Sequence, residues 1–350
     1  MKKLPTGSVI VGELPKGCEL CQRGMKLVLF ITGLCPRRCF YCPLGRDRRY
    51  LDVMYANERK IEVVEEALNE AHLMDAQGTG ITGGDPLLVL NRTLKAIKVL
   101  KQEFGEEHHI HLYTTGAKVT VKHLKQLEQV GLDELRFHVF SEQLDIVSQA
   151  VKELNIDVGV EIPMLPDKLE ATIRLLRSLD AIKVSFVNIN ELEFTETNAL
   201  NLLERGYELR ANSLVAAKGS REAAIKVLTW AEENTSLNVH FCPAIIKDAY
   251  QTRLRLYRKA LNLAKHYELV TDEGTIMLAE ATTKDMRAIK NIIKTLGNNG
   301  LFEVNWDEGK ILFRAEYASL ISEKFKENVN VSICEYLPTP TRFLVYKEII

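Results

Sequence analysis

Apolar positions along the chain follow two alternating periods. Residues 25–33, MKLVLFITG, are almost continuously apolar and read as a buried strand. Residues 61–76 place Val64, Ala67, Leu68, Ala71 and Leu73 at helical spacing. TGITGG at 79–84 predicts a short strand ending in glycines, 91–104 a helix, and IHLYTT at 110–115 a strand. Residues 119–131 predict a helix stopped by Gly131. The alternation continues with a strand at 133–140 (DELRFHVF) and a helix at 141–154 with Ser141 as its N-cap. A strand at 156–165, a helix at 168–179, a strand at 182–194, a helix at 221–234 and a strand at 237–242 (LNVHFC) follow. Short connections and apolar strands predict a parallel sheet wound with helices, closed or partly closed into a barrel. Chemistry in such barrels sits at the C-terminal ends of the strands.

The pattern changes after about residue 268. TIMLAEAT reads as strand, TKDMRAIKNIIKTLG as helix, and LFEVNWDEGKILFRA as a hairpin turning at Asp307–Gly309. YASLISEKFKE reads as helix, then VNVSICEYL and RFLVYKEI as strands. This is a βαββαβ, ferredoxin-like order. The expected division is an N-terminal segment at 1–24, a barrel with a trailing basic helix at 25–266, and a small α+β domain at 267–350. The trailing helix, 247–265, carries Tyr250, Leu254, Tyr257, Leu261 and Ala264 as an apolar stripe. Lys247, Arg253, Arg255, Arg258, Lys259 and Lys265 fall on its other sides, a solvated face or one for RNA phosphates or an acidic protein.

Composition narrows the function classes. The 350 residues are 46% apolar and carry a net charge of −1, so no global polycation points to nucleic acid. No run of about 18 apolar residues appears, and no membrane association is expected. The first residues, MKKLPTGSVIVGELPKG, lack the apolar core of a signal peptide, which implies the cytoplasm and reduced thiols. Seven cysteines stand at 18, 21, 35, 39, 42, 242 and 334. An odd number with five crowded into 18–42 fits metal or cluster binding better than disulfides.

The densest group is GLCPRRCFYCPLG at 33–45, directly after the first barrel strand. Cys35-x3-Cys39-x2-Cys42 reads as a 4Fe–4S cluster held by three thiolates, one iron being left for another ligand. Zinc would want a fourth ligand, and a purely structural cluster would leave Gly83-Gly84-Asp85-Pro86, at the next strand end, unexplained. The cysteine spacing, the aromatic Tyr41 and this glycine motif resemble the radical S-adenosylmethionine (radical SAM) superfamily. Asp85 departs from the family's glutamate. The resemblance implies a partial (β/α)6-type barrel, reductive cleavage of S-adenosylmethionine, and a 5′-deoxyadenosyl radical that abstracts hydrogen from a substrate. It implies cofactor contacts at Tyr41 (backbone, to the adenine), at Gly83, Gly84, Asp85 and Pro86, and at the strand-end residues His138, Ser141 and Glu161. For His138 a structural role is the competing reading. Thr114, Thr115, Asn188 and Asn190 are similarly placed. Arg37, Arg38, Arg46, Arg48 and Arg49 surround the loop, where cations would ease reduction of an anionic cluster, or are simply solvated.

Cys18-x2-Cys21 precedes the first barrel strand and Cys242 ends the last. A barrel would bring these ends together, so the three are expected to hold an auxiliary 4Fe–4S cluster, with Cys334 or a substrate as fourth ligand. A zinc site, a redox dithiol and plain core packing are the alternatives. Cys334, in an alternating strand, reads more simply as a small buried hydrophobe. The chain as a whole resembles archaeal radical SAM proteins related to pyruvate formate-lyase activating enzymes. That implies a radical enzyme acting on a macromolecule, RNA or protein, served by a reductant such as ferredoxin or flavodoxin. A glycyl-radical enzyme activase is the alternative. A non-catalytic iron–sulfur or zinc binding module is the reading from another class.

Overall fold

The computed structural model describes residues 1–139, 144–297 and 301–350, and the expected N-cap Ser141 lies outside them. The chain divides into two compact units. One comprises Met1–His72 and Ala76–Gln251, the other Leu73–Asp75 and Thr252–Ile350. This corrects the expected boundaries in two places. The first 24 residues are not a separate segment, because one of their strands pairs with the last barrel strand. From Thr252 on, the trailing helix belongs with the C-terminal unit, where Arg253 Nη1 donates to the Asp272 carbonyl at 2.7 Å.

The first unit opens with strands β1 (Lys2–Lys3) and β2 (Val9–Val11) and a short helix, α1 (Lys16–Gln22). Then come β3 (Lys26–Thr32), a hairpin of β4 (Met54–Ala56) and β5 (Arg59–Ile61), and α2 (Glu66–Leu73). The 61–76 helix is therefore shorter than its apolar spacing predicted: Ile61 ends β5 and residues 62–65 turn into the helix. Next are β6 (Gly78–Gly83), α3 (Leu90–Phe104), β7 (His109–Thr114), α4 (Val121–Gln129) and β8 (Glu134–Phe137). The unit continues with α5 (Leu144–Glu153), β9 (Asp157–Met164), α6 (Leu169–Ile182) and β10 (Phe186–Glu191). It closes with α7 (Ala199–Leu203), α8 (Ser220–Asn234) and β11 (Asn238–Cys242).

Strands β3, β6, β7, β8, β9, β10 and β11 pair in parallel, each beside its predecessor. An order without reversal puts every crossover helix on one face, so the sheet curls into a partial barrel rather than a doubly wound slab. β2 runs antiparallel along β11 at one edge and the β4–β5 hairpin covers the other. The outward face of the barrel strands is apolar and buried: Leu135, Phe137, Val158, Val160, Val187, Ile189, Val239 and Phe241. The inward face is polar. Lys26, His111, Glu134, Arg136, Asn188 and His240 are all buried there. Period-two alternation sends these residues to one side. Parallel register then sets His111 beside Glu134, Tyr113 beside Arg136, and Asn188 between Glu161 and His240.

The second unit begins with α9 (Arg253–Leu263) and β12 (Leu269–Val270). β13 (Ile276–Thr282), α10 (Met286–Leu296), β14 (Phe302–Asn305), β15 (Lys310–Phe313), α11 (Ala318–Lys324), β16 (Asn330–Tyr336) and β17 (Leu344–Ile349) follow. The sheet order β14-β15-β13-β16 is the 2-3-1-4 arrangement of a ferredoxin-like fold, with β17 added at the edge. Asp285 caps α10 by accepting from the Arg287 N–H at 2.9 Å. Ala288, Ile292 and Leu296 of α10 and Ile321 of α11 pack on Ala279, Ala281, Ile311, Phe313 and Val331 of the sheet.

The apolar stripe expected on the trailing helix is not its buried side. Arg255 and Lys259 are buried while Leu261 is 55% exposed. Arg258 donates to the carbonyls of Met74 and Asp75, both at 2.8 Å. Helical spacing groups residues by face but cannot tell which face the fold covers.

Candidate active site

The loop after β3 brings Cys35, Cys39 and Cys42 into mutual electrostatic reach. All three are half-buried and free of disulfides. Burial pushes the Cys35 thiol up, and the Arg37 backbone N–H opposes it. Burial also raises Cys39, and the Tyr41 hydroxyl beside its sulfur works the other way. Three convergent thiols, one of them met by a backbone N–H, form a donor set suited to an anionic iron–sulfur cluster.

The glycine motif seats this loop. The Gly84 N–H donates to the Thr32 carbonyl at 2.8 Å and the Asp85 N–H to the Leu34 carbonyl at 2.7 Å. A Cβ at Gly84 would stand 2.2 Å from the Leu34 oxygen, so only glycine permits the approach. Pro86 starts the short 3-10 turn Pro86–Val89. The Asp85 carboxylate is buried and turned to protein partners. It accepts from the Leu87 N–H at 3.1 Å, the Thr114 hydroxyl at 3.0 Å, and both the N–H and hydroxyl of Thr115. Thr114 and Thr115 thus anchor Asp85, and Asp85 ties the end of β6 to the end of β7.

Tyr41 is buried in an apolar cluster with Leu192, Phe194, Leu202 and Ala217. Its backbone carbonyl accepts from Asn198 Nδ2 at 3.0 Å. Its hydroxyl lies 2.9 Å from His138 Nε2, and His138 Nδ1 lies 3.0 Å from the Glu161 carbonyl. A carbonyl can only accept, so Nδ1 carries the proton and Nε2 takes the tyrosine's. Burial keeps this imidazole neutral by lowering its pKa. Of the loop arginines, Arg37 donates to the Thr115 carbonyl at 3.1 Å and Arg49 to the Cys39 carbonyl at 3.3 Å. Arg48 stacks 3.8 Å over the Tyr55 ring, while Arg38 and Arg46 stand exposed. A pocket of about 580 Å3 adjoins the loop, walled by Tyr41, Val139, Ile162 and Leu165 and carrying Arg37, Arg38 and Lys168.

Deeper in the barrel, Arg136 is 2% exposed. Its Nε pairs with Glu134, and Nη1 reaches Glu161 Oε2 at 2.8 Å and the Tyr113 hydroxyl at 3.1 Å. Glu161 also accepts from Asn188 Nδ2 and Asn190 Nδ2, each at 2.9 Å. Burial opposes ionisation of Glu161, but Arg136 and the two asparagines outweigh it and bring its pKa down to about 2. The Glu161 carboxylate is therefore occupied by the barrel wall.

Helix α1 carries Cys18 into this wall. Arg136 Nη2 lies 3.4 Å and Asn188 Nδ2 3.3 Å from its sulfur. Gly17 makes room: a Cβ there would sit 2.4 Å from His111 Nδ1. Cys18, Cys21 and Cys242 are gathered, close enough that the first two raise the Cys242 thiol further above the level set by its burial. Burial raises the Cys18 thiol to about 11. Cys334 belongs to the second unit. It is buried in β16, where its electrostatic neighbours are Glu280, Tyr336, Lys347 and Ser332 of its own sheet.

His109, His111 and Glu134 also bring one potential ligand atom each within 4.8 Å of one another. Lys26 Nζ lies 3.1 Å from His111 Nε2, and Arg136 pairs with Glu134. Two cations at the trio oppose a third, and these residues are part of the polar wall.

The Radical SAM superfamily profile matches residues 29–142, from within the first barrel strand to beyond β8. A protein of Methanocaldococcus jannaschii, provisionally named a glycyl-radical enzyme activating enzyme, is 43% identical over 304 residues, covering 83% of this chain and 80% of that one. This chain belongs to the radical SAM superfamily. It is an enzyme of that class, and membership brings with it a 4Fe–4S cluster and S-adenosylmethionine. Among solved structures, SuiB of Streptococcus suis bound to its precursor peptide is 12% identical, with 67% of this chain and 54% of that chain covered at a TM-score of 0.46. The chain thus spans about half the length of SuiB. Methylornithine synthase is 14% identical, with 63% and 71% covered and a TM-score of 0.43.

Sequence reasoning missed the buried network of this radical SAM enzyme: Lys26, His111, Glu134 and Arg136. One signal was present. Glu134, Arg136 and His138 alternate with Leu135 and Phe137, so the polar side of β8 must face other polar groups or water.

Proposed function

We propose that Cys35, Cys39 and Cys42 hold the S-adenosylmethionine-binding cluster and that the enzyme abstracts a hydrogen atom from a polypeptide, as a glycyl-radical activase does. The observation that carries the cluster assignment is the seating of the three-thiol loop on the backbone of Gly84 and Asp85. When bound, the cluster and cofactor supply one-electron cleavage of the sulfonium and a 5′-deoxyadenosyl radical that takes a hydrogen atom from the substrate. The residues around them orient and shield. Asp85 fixes the loop's support through Thr114 and Thr115. Arg37 sets a guanidinium beside the thiols. The apolar pocket beside Tyr41, with arginines and Lys168 among its lining, suits an uncharged base attached to an anionic carboxylate. A polypeptide substrate is supported by the provisional name of the M. jannaschii relative. RNA is less favoured, because Arg255 and Lys259 of the basic helix are buried and Arg258 is spent on backbone carbonyls.

Cys18, Cys21 and Cys242 are proposed to hold a second iron–sulfur cluster. They supply three thiols, and N–H donors meet one of them. Cys334 is left out of that ligand set. A one-electron carrier of the ferredoxin or flavodoxin kind serves as reductant.

The test is iron and sulfide content with EPR after anaerobic reconstitution, comparing wild type with a Cys35/Cys39/Cys42→Ala triple variant. About 8 Fe falling to about 4 supports two clusters. The remaining signal should no longer respond to S-adenosylmethionine. Zinc without sulfide in the wild type overturns the cluster assignments. For the substrate, a glycyl EPR doublet appearing on a partner protein incubated with reduced enzyme and S-adenosylmethionine supports the activase reading. Formation of 5′-deoxyadenosine driven by RNA and not by any polypeptide overturns it.

A further inference from the structure

Two rigid N–H donors from the barrel wall converge on the sulfur of Cys18. Arg136 Nη2 is 3.4 Å away and Asn188 Nδ2 is 3.3 Å away. Neither donor is a mobile tip. Arg136 is held at its other nitrogens by Glu134, Glu161 and the Tyr113 hydroxyl, and its guanidinium lies 5.4 Å from the Tyr113 ring centroid and 5.3 Å from that of Phe186. Asn188 is 1% exposed. Its second Nδ2 hydrogen goes to Glu161, and its oxygen faces His240 Nδ1 at 3.2 Å. His240 in turn reaches the Ser8 hydroxyl at 3.0 Å. This chain of bonds fixes the amide orientation: the oxygen accepts from His240, so the nitrogen must face Cys18 and Glu161.

We propose that Arg136 and Asn188 are positioning residues that set the reduction potential of the iron–sulfur cluster held by Cys18, Cys21 and Cys242. The proposal rests on the reading of those three cysteines as a second cluster site. A reduced cluster carries one more negative charge than the oxidised one. Burial disfavours that charge and drives the potential down. Hydrogen bonds to a ligand sulfur do the opposite, because they strengthen as the sulfur gains electron density. Glu134 and Glu161, which flank Arg136, raise the Cys18 thiol, while the Arg136 charge lowers it against burial. Arg136 thus acts on Cys18 through its charge and through an N–H directed at the sulfur. A lysine at this position would keep the charge and lose the directed N–H.

The experiment is an EPR-monitored redox titration of the full-length enzyme with both sites reconstituted. It follows the cluster signal that S-adenosylmethionine does not alter. Asn188→Leu removes one donor at nearly constant shape, and Arg136→Lys removes the other while keeping a cation. Each is expected to retain wild-type iron content and to move the second cluster's midpoint to a more negative potential. The midpoint of the S-adenosylmethionine-responsive cluster should stay in place. Asn188→Gln, which keeps an amide donor, should recover part of the shift. A wild-type midpoint in both Asn188→Leu and Arg136→Lys at full iron content overturns the proposal and leaves the second-cluster reading standing. A wild type that holds one cluster only overturns that reading and the proposal with it. If Arg136→Lys does not fold, because Glu134 and Glu161 lose their common partner, the Asn188 pair decides alone.

Discussion

The Tyr41 hydroxyl donates to His138 Nε2 across 2.9 Å and so ties the cysteine loop to the end of β8. Both residues came from the sequence as cofactor contacts, and here they are each other's partners. Tyr41→Phe removes the buried hydrogen bond to His138 and the hydroxyl beside the Cys39 sulfur. We expect about 0.5–1.5 kcal/mol of lost stability, seen as a lower denaturant midpoint. Iron content after reconstitution should be retained, because the three thiols are untouched.

Gly84→Ala should strike the cofactor site rather than the fold. Its Cβ would collide with the Leu34 carbonyl, which cannot retreat without shifting the loop that begins with Cys35. Circular dichroism should stay native while iron bound at the three-cysteine loop falls. Unchanged iron content would show that the loop tolerates displacement.

Asp85→Asn replaces one acceptor oxygen by a donor in a pocket lined with donors from Leu87, Thr114 and Thr115. At least one buried N–H or O–H loses its partner, at a cost of about 1–3 kcal/mol. Thermal unfolding of the reconstituted enzyme measures it.

Acid should destabilise the first unit in two stages. Burial holds His108 and His240 neutral, with pKa values down to about 4. The folded chain therefore binds fewer protons than the unfolded chain once pH falls below about 6.5, and stability is lost from there down to about 4. Each histidine accounts for roughly 3 kcal/mol at the bottom of that window. Glu161, brought down to about 2 by its partners, contributes stability that persists above about 4.5 and is lost below it. Urea midpoints measured from pH 8 to pH 3 should fall along both limbs. A flat profile between 6.5 and 4.5 would contradict the buried neutral histidines.

On the trailing helix, Arg255→Ala and Lys259→Ala should lower stability, since both side chains are buried. Charge reversal at exposed Lys265 should change little beyond its contact with Glu303. The measurements are unfolding midpoints alongside RNA binding at low salt. An RNA affinity that drops only in the buried-residue variants, with midpoints unchanged, would restore the nucleic-acid reading.

Much of this protein was legible in its sequence because the signals are local. Backbone periodicity needs only neighbouring residues, so the alternating strands and helices of the barrel and the ferredoxin-like order of the C-terminal unit could be read directly. The cysteine loop was legible for the same reason: three cysteines lie within eight residues, and the glycines that seat it stand at the next strand end. The approach of Cys242 to Cys18 and Cys21 followed from barrel topology, although the α1 helix that carries the pair was not foreseen. Tertiary structure alone decided the rest. Which face of α9 is covered depends on what packs there, and helical spacing is silent on that. That Glu161 belongs to Arg136, Asn188 and Asn190, and that Cys18 takes N–H donors from two different strands, depends on parallel register. Register joins residues far apart in the chain, and it is set by the hydrogen-bond ladder and by burial, which no local pattern contains.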